Sequence, residues 1–128
     1  MPDTLSNAAK VAENKNKDEG YLTDKYTFTG YARFRRSLTL ENDMTGFVSV
    51  LTLERTRVST LYIDGAEVGT CDSLCSTHRY DISSYMTAGT HEIVIRIANV
   101  GYKTGGGHMT SPDTQTNWLG IVGKMYIE

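Results

Sequence analysis

From residue 26 onward, apolar side chains recur at every second position in run after run, the period of a half-buried strand. In residues 31–40, Ala32, Phe34, Leu38 and Leu40 share one face, while Tyr31, Arg33, Arg35 and Ser37 share the other. Arg36 interrupts the apolar face. An unpaired buried guanidinium costs on the order of several kcal/mol, so Arg36 is expected at the rim or against a carboxylate. Residues 41–46 carry turn chemistry, and residues 47–53 predict a second strand with Phe47, Ser49, Leu51 and Leu53 on one face. A charged corner follows at 54–57, where Glu54 is expected to pair with Arg36 or Arg57. Residues 58–63 form the next run. Asp64-Gly65 is a two-residue hairpin signal leading into residues 66–68, after which 69–77 reads as a polar loop. Residues 78–82 predict a short strand, and Asp81 or Ser83 can cap a single helical turn at 83–86. Ala88-Gly89 turns the chain into residues 90–99, where Ile93, Ile95 and Ile97 face one way and Glu92, Val94, Arg96 and Ala98 the other. The last run, 121–127, is expected to bury Ile121, Met125 and Ile127 or their neighbours.

This pattern predicts at least seven short strands, with turns at intervals of about ten residues and no amphipathic helix of any length. The architecture that fits is all-β, an antiparallel β-sandwich of jelly-roll type. Residues 1–25 read differently. They are poor in apolar side chains, with Leu5, Val11, Tyr21 and Leu22 as the available anchors, so they predict an irregular arm on or beside the sandwich formed by 26–128. A short helical turn is expected near residues 6–11.

Composition narrows the classes without changing that picture. The 128 residues suit one domain. Thirteen basic against fifteen acidic residues give a net charge of −2, which argues against nucleic acid as a partner. No apolar run approaches the roughly 18 residues of a membrane-spanning helix, and the polar N-terminus does not read as a signal peptide. Twelve glycines and eight tyrosines agree with a turn-rich β protein. Cys71 and Cys75 leave three readings open: two independent thiols, a disulfide, or a metal pair. The last is weak, because no second pair or suitably spaced histidines accompany them. His78, His91 and His108 are scattered, so no metal site and no cofactor is expected.

Chemistry gathers in one place. Residues 100–117 form a connection of about eighteen residues, and loops of that length without structure of their own are usually functional or disordered. Gly105-Gly-Gly107 opens it, His108 follows, and Asp113-Thr-Gln-Thr-Asn-Trp118 closes it with the single tryptophan of the chain. An indole between a polar loop and a closing strand can stack on the apolar face of a pyranose or plug the end of the sandwich. Asn and Gln amides beside it can hydrogen-bond vicinal hydroxyls or tie down loop backbone. His108 is kept as a sugar contact on its loop position.

Several segments together resemble one family. Tyr31-Ala-Arg-Phe-Arg-Arg36, Leu53-Glu-Arg-Thr56, Val58-Ser-Thr-Leu-Tyr-Ile-Asp-Gly-Ala-Glu-Val-Gly69 and Asp72-Ser-Leu74 run in its order. His78-Arg-Tyr-Asp-Ile82, Ala88-Gly89, residues 93–99 and Thr114-Gln-Thr-Asn-Trp-Leu-Gly-Ile121 continue it. Over residues 26–128 the chain resembles the N-terminal sugar-binding domain of glycoside hydrolase family 2, with an ending most similar to the β-galactosidase-like branch. Each motif is weak alone; their order and spacing carry the resemblance. Two departures stand out: the strand that opens the family domain is not recognisable ahead of Pro2-Asp-Thr-Leu5, and neither the family's immunoglobulin-like domain nor its catalytic barrel is present in the sequence.

The resemblance implies a galactose-binding-domain-like jelly roll that is not itself an enzyme. The family's two catalytic glutamates belong to the barrel, and no carboxylate pair here shows the local framework that retaining glycoside hydrolysis requires. It further implies that Asp113, Gln115, Asn117 and Trp118, with Asp72 as a weaker contributor, touch the terminal sugar of a β-glycoside through the 105–118 loop and complete the cleft of a separate catalytic barrel. Implied partners are that barrel and the immunoglobulin-like domain of a retaining glycosidase, periplasmic or extracellular in bacteria. A stand-alone carbohydrate-binding or adhesion module is the alternative, as is a structural docking domain. An uncovered sheet edge would favour a homodimer in isolation.

Overall fold

The computed structural model describes residues 30–101 and 120–128, and within them the chain is an antiparallel β-sandwich of jelly-roll type. Seven strands run in the order β1 (Tyr31–Leu40), β2 (Val50–Leu53), β3 (Val58–Ile63), β4 (Ala66–Cys71), β5 (His78–Asp81), β6 (Gly89–Ala98) and β7 (Met125–Ile127). A 3₁₀ turn at Ser83–Tyr85 separates β5 from β6. One sheet has the order β1-β6-β3-β4 and the other β5-β2-β7.

Alternation explains the larger sheet. On β6, Ile93, Ile95 and Ile97 point inward, and on β3 so do Leu61 and Ile63; all five are buried. β1 pairs with β6 from Tyr31↔Ala98 to Leu40↔Gly89, which places Ala32, Phe34, Leu38 and Leu40 half-buried against the same core. Arg36 lies on that inward face but is exposed, the outcome that the cost of burying a guanidinium requires. Leu51 and Leu53 of β2, with Tyr80, Ile82, Met86 and Ile121, supply the opposite half of the core.

Asp64-Gly65 makes the expected hairpin, and both residues have the positive φ that a two-residue turn of this kind demands. β4 then runs to Cys71, three residues further than the sequence predicts. Gly69 is poor strand material, yet β3 offers this stretch an open ladder at Leu61↔Gly69, Thr60↔Thr70 and Ser59↔Cys71. The register slips between Leu61 and Tyr62, leaving Val68 as the extra residue of a bulge.

β2 is shorter than its alternation predicts. Phe47 and Val48 lie outside it, 64% and 80% exposed, because ladder partners begin only at Val50, which bonds Glu128 in both directions. The end of the chain is corrected likewise. Ile121 is buried and bridges Thr56, but Met125 and Ile127 sit on the edge strand β7 with 37% and 40% of their surface exposed. The expected arm at 1–25 lies outside the described residues.

Candidate functional site

Five of the six sugar-contact candidates, His108, Asp113, Gln115, Asn117 and Trp118, lie outside the described residues. What the structure defines is the frame from which their segment departs and to which it returns. At the departing end, β6 runs into Asn99, which is buried. Its Oδ1 accepts the Gly30 N–H at 2.9 Å and its own N–H donates to the Gly30 carbonyl at 3.2 Å. At the returning end, the buried Thr56 hydroxyl donates to the Gly120 carbonyl at 2.9 Å, and Thr56 bridges Ile121. Gly120 has a positive φ, a conformation that glycine adopts without the steric cost borne by other residues.

β3 connects the two ends. Val58 pairs with Ala98, so Thr56 and Arg57, just before β3, lie beside Asn99, just after β6. Arg57 is buried to 3% exposure and is partnered. Burying a guanidinium at the mouth of a loop is expensive, and such groups persist where they are paired and hydrogen-bonded. Thr56, Arg57, Asn99 and Gly120 therefore form a polar collar at one end of the sandwich. None of it is visible in the sequence, where Thr56 and Arg57 look like part of a solvated charged corner and Asn99 like the end of a strand.

Next to the collar is an open cleft of about 540 Å³ lined by Glu54, Lys124, Met125 and Tyr126. Glu54, expected to pair with an arginine, instead accepts the Lys124 N–H on Oε2 at 2.8 Å and donates its own N–H to the Lys124 carbonyl. Val122 N–H donates to the Arg55 carbonyl in the same stretch. Gly123 permits this approach, since a Cβ there would lie 2.6 Å from Glu54 Cβ. The cleft thus joins a partly exposed tyrosine ring to a carboxylate already committed to backbone.

Asp72, the remaining candidate, is exposed just beyond β4 and is partnered. It lies past the β4 end of β3, where Cys71 pairs with Ser59. β3 continues only from Val58 back to the collar, so Asp72 stands on the loop neighbouring it. Cys71 is half-buried and Cys75 exposed, and both are free thiols.

Two histidines that the sequence leaves without a role are built into hydrogen-bond networks. His78 is fully buried on β5, with Nε2 2.6 Å from the Ser73 carbonyl and Nδ1 2.6 Å from Ser59 Oγ on β3. A carbonyl only accepts, so Nε2 carries the donor hydrogen, and the Ser59 hydroxyl can donate to Nδ1. Tyr80 adds its hydroxyl 2.6 Å from Ser59 Oγ and 2.9 Å from the Ser59 carbonyl, and burial pushes its phenol up to about 12. A serine beside a histidine invites a nucleophilic reading, but this pair is sealed from solvent and lacks a carboxylate behind the ring. It is a polar strut between the two sheets. His91 instead meets Asp64 at the hairpin, Nδ1 to Oδ2 at 2.6 Å, and donates Nε2–H to the Thr87 carbonyl at 2.8 Å. Among the described residues, no group of three His, Cys, Asp or Glu could hold a metal ion, and no helix is long and apolar enough to cross a membrane.

No family model matches the sequence, and no curated protein matches it. Solved structures are similar in fold. A Bacteroides fragilis protein described as a β-galactosidase superposes on 98% of this chain with a TM-score of 0.71 at 15% identity. A glycosyl hydrolase family 2 member from Bacteroides cellulosilyticus covers all of it, with a TM-score of 0.70 at 13% identity. A calcium-binding mutant of Bacteroides uniformis β-glucuronidase 2 covers 99%, with a TM-score of 0.65 at 17% identity. The chain spans only 17%, 16% and 18% of these three proteins. Identities this low establish a shared fold, that of one domain-sized portion of large glycosidases.

Proposed function

We propose that this chain is a non-catalytic sugar-binding domain of glycoside hydrolase family 2 type, β-galactosidase-like, which completes the substrate cleft of a separate catalytic barrel. The observation that carries this reading is the near-complete superposition on about one-sixth of three glycosidases. The ordered motifs across residues 26–128 point the same way. In this reading the collar holds the 105–118 segment at one end of the sandwich. Asp113, Gln115, Asn117 and Trp118, with His108 and Asp72, then meet the terminal sugar of a β-glycoside. The amides and carboxylates bond its hydroxyls and the indole covers its apolar face. In this reading bond cleavage belongs to the barrel, because glycoside hydrolysis needs two carboxyl groups positioned across the scissile bond.

The test is to assay the isolated chain on a chromogenic β-galactoside and to titrate it with galactose. No turnover is expected, with monosaccharide binding at millimolar Kd or weaker, about −4 kcal/mol, because one wall of the site binds half a ligand. Turnover lost in Asn117→Ala would overturn the reading. Tight glycan binding lost in Trp118→Ala would support the stand-alone binding module instead.

A further inference from the structure

The outward face of the larger sheet carries an arrangement that neither the core nor the collar uses. Arg33 on β1 and Arg96 on β6 are direct cross-strand partners, and both point away from the core. Like charges placed directly opposite on one face of a sheet destabilise it. Elsewhere on this face charge is compensated: Arg35 Nε lies 3.2 Å from Glu92 Oε2. Among the described residues no carboxylate pairs with Arg33 or Arg96. Arg96 is held by Tyr31, its guanidinium carbon 5.1 Å from the ring centroid, and Tyr31 is itself 58% exposed.

We propose that Arg33, Arg96 and Tyr31 form a binding face for a carboxylate-bearing oligosaccharide, a chain containing uronic acid. Two guanidinium forks on adjacent strands can each take a carboxylate in two parallel hydrogen bonds. A bound anion relieves the repulsion between the two opposed guanidinium groups. Tyr31 keeps exposed aromatic surface for sugar C–H groups beside them. An acidic polypeptide fits less well, because it offers carboxylates to the guanidinium groups but no sugar C–H face to Tyr31. Tyr31 follows the Gly30 that Asn99 holds, so the face begins at the collar end of the sandwich and runs outward along β1 and β6.

The experiment is a titration of the full chain at low salt, followed by amide and arginine Nε chemical shifts. The probes are a hexameric oligogalacturonate, its methyl ester, and a hexaglutamate peptide. Shifts are expected at Arg33, Arg96 and Tyr31 with the oligogalacturonate, about tenfold weaker binding with the ester, and about tenfold loss in Arg33→Thr, the loss of one charge-assisted contact. Arg33→Thr should melt at the same temperature as the parent or higher, since it removes an uncompensated charge and places a strand-favouring residue. Equal binding of acid and ester, absence of shifts, shifts confined to other residues, or a lower melting temperature in Arg33→Thr would each overturn the proposal. Hexaglutamate binding as tightly as the oligogalacturonate would also overturn it, showing a face that reads charge alone.

Discussion

His78 and His91 each engage both ring nitrogens, and each donates one N–H to a backbone carbonyl, yet the second partner differs in kind. His78 meets a hydroxyl, Ser59 Oγ; His91 meets a carboxylate, Asp64 Oδ2. With a hydroxyl that can donate, one ring N–H is enough to fill both bonds of the strut between the sheets. With a carboxylate that only accepts, both ring nitrogens must donate, so the imidazolium completes the clamp that ties the Asp64 hairpin to Thr87. The hydrogen bond from Asp64 raises the His91 pKa above its ordinary value, and Thr87 adds to the shift. The same bond, with the Glu92 N–H, lowers that of Asp64. One region welds the core and the other responds to pH, and the chemistry of a single neighbouring oxygen separates them.

The comparison breaks first at the core. His78→Ala removes a fully buried ring and leaves Ser59 and Ser73 facing a void. It is expected to destabilise the fold by about 3 kcal/mol, from cavity and orphaned polar groups together, measured by denaturant unfolding. Tyr80→Phe keeps the packing and removes one hydroxyl, so about 1 kcal/mol is expected. A loss there as large as that in His78→Ala would show that the strut acts as one unit rather than as separable bonds.

The hairpin clamp supplies the pH test. A raised His91 pKa contributes stability that is fully present below the ordinary histidine value of 6.5 and is lost as pH rises through the higher folded value. A lowered Asp64 pKa contributes stability that is fully present above 3.8 and is lost as pH falls through the lower folded value. The clamp is therefore complete between 3.8 and 6.5. Melting temperature should decline on the alkaline side of that window, and Asp64→Asn should flatten the decline while changing little above it. An unchanged profile in Asp64→Asn would remove the clamp as its source. The smallest effect is expected from Thr39→Val on β1, whose hydroxyl meets that of Thr90 at 3.0 Å in solvent. Thermal unfolding of that variant should show a stability change of about 0.5 kcal/mol or less.

The sequence makes one class of feature legible and hides another. β1 and β3 fall where alternation places them, because a buried face leaves its period in the chain. The Asp64-Gly65 turn is equally plain, since its backbone angles exclude most residues. Strand ends are not local. Phe47 and Val48 continue the β2 alternation without a ladder partner, while residues 69–71 break the β4 pattern and pair fully with β3. The strut joins Ser59 to residues nineteen and twenty-one positions away on another sheet, and the opposition of Arg33 and Arg96 exists only through the β1–β6 register. Such groupings follow from topology, which period-two patterning constrains but does not specify. For the candidate site the same holds: its polar residues are visible as a cluster in sequence, whereas the collar that frames them is assembled from three separate stretches.

That collar has a bearing on how such a domain can diversify. Two of its anchors, Asn99 to Gly30 and Thr56 to Gly120, are made by residues that flank 102–119 and by backbone atoms. Closing a longer loop costs only about 0.6 kcal/mol per doubling of length. A change of length between those anchors is therefore cheap in chain entropy. Directed libraries confined to 102–119 should keep expressing as folded protein, which makes this end of the molecule a natural graft point for new recognition.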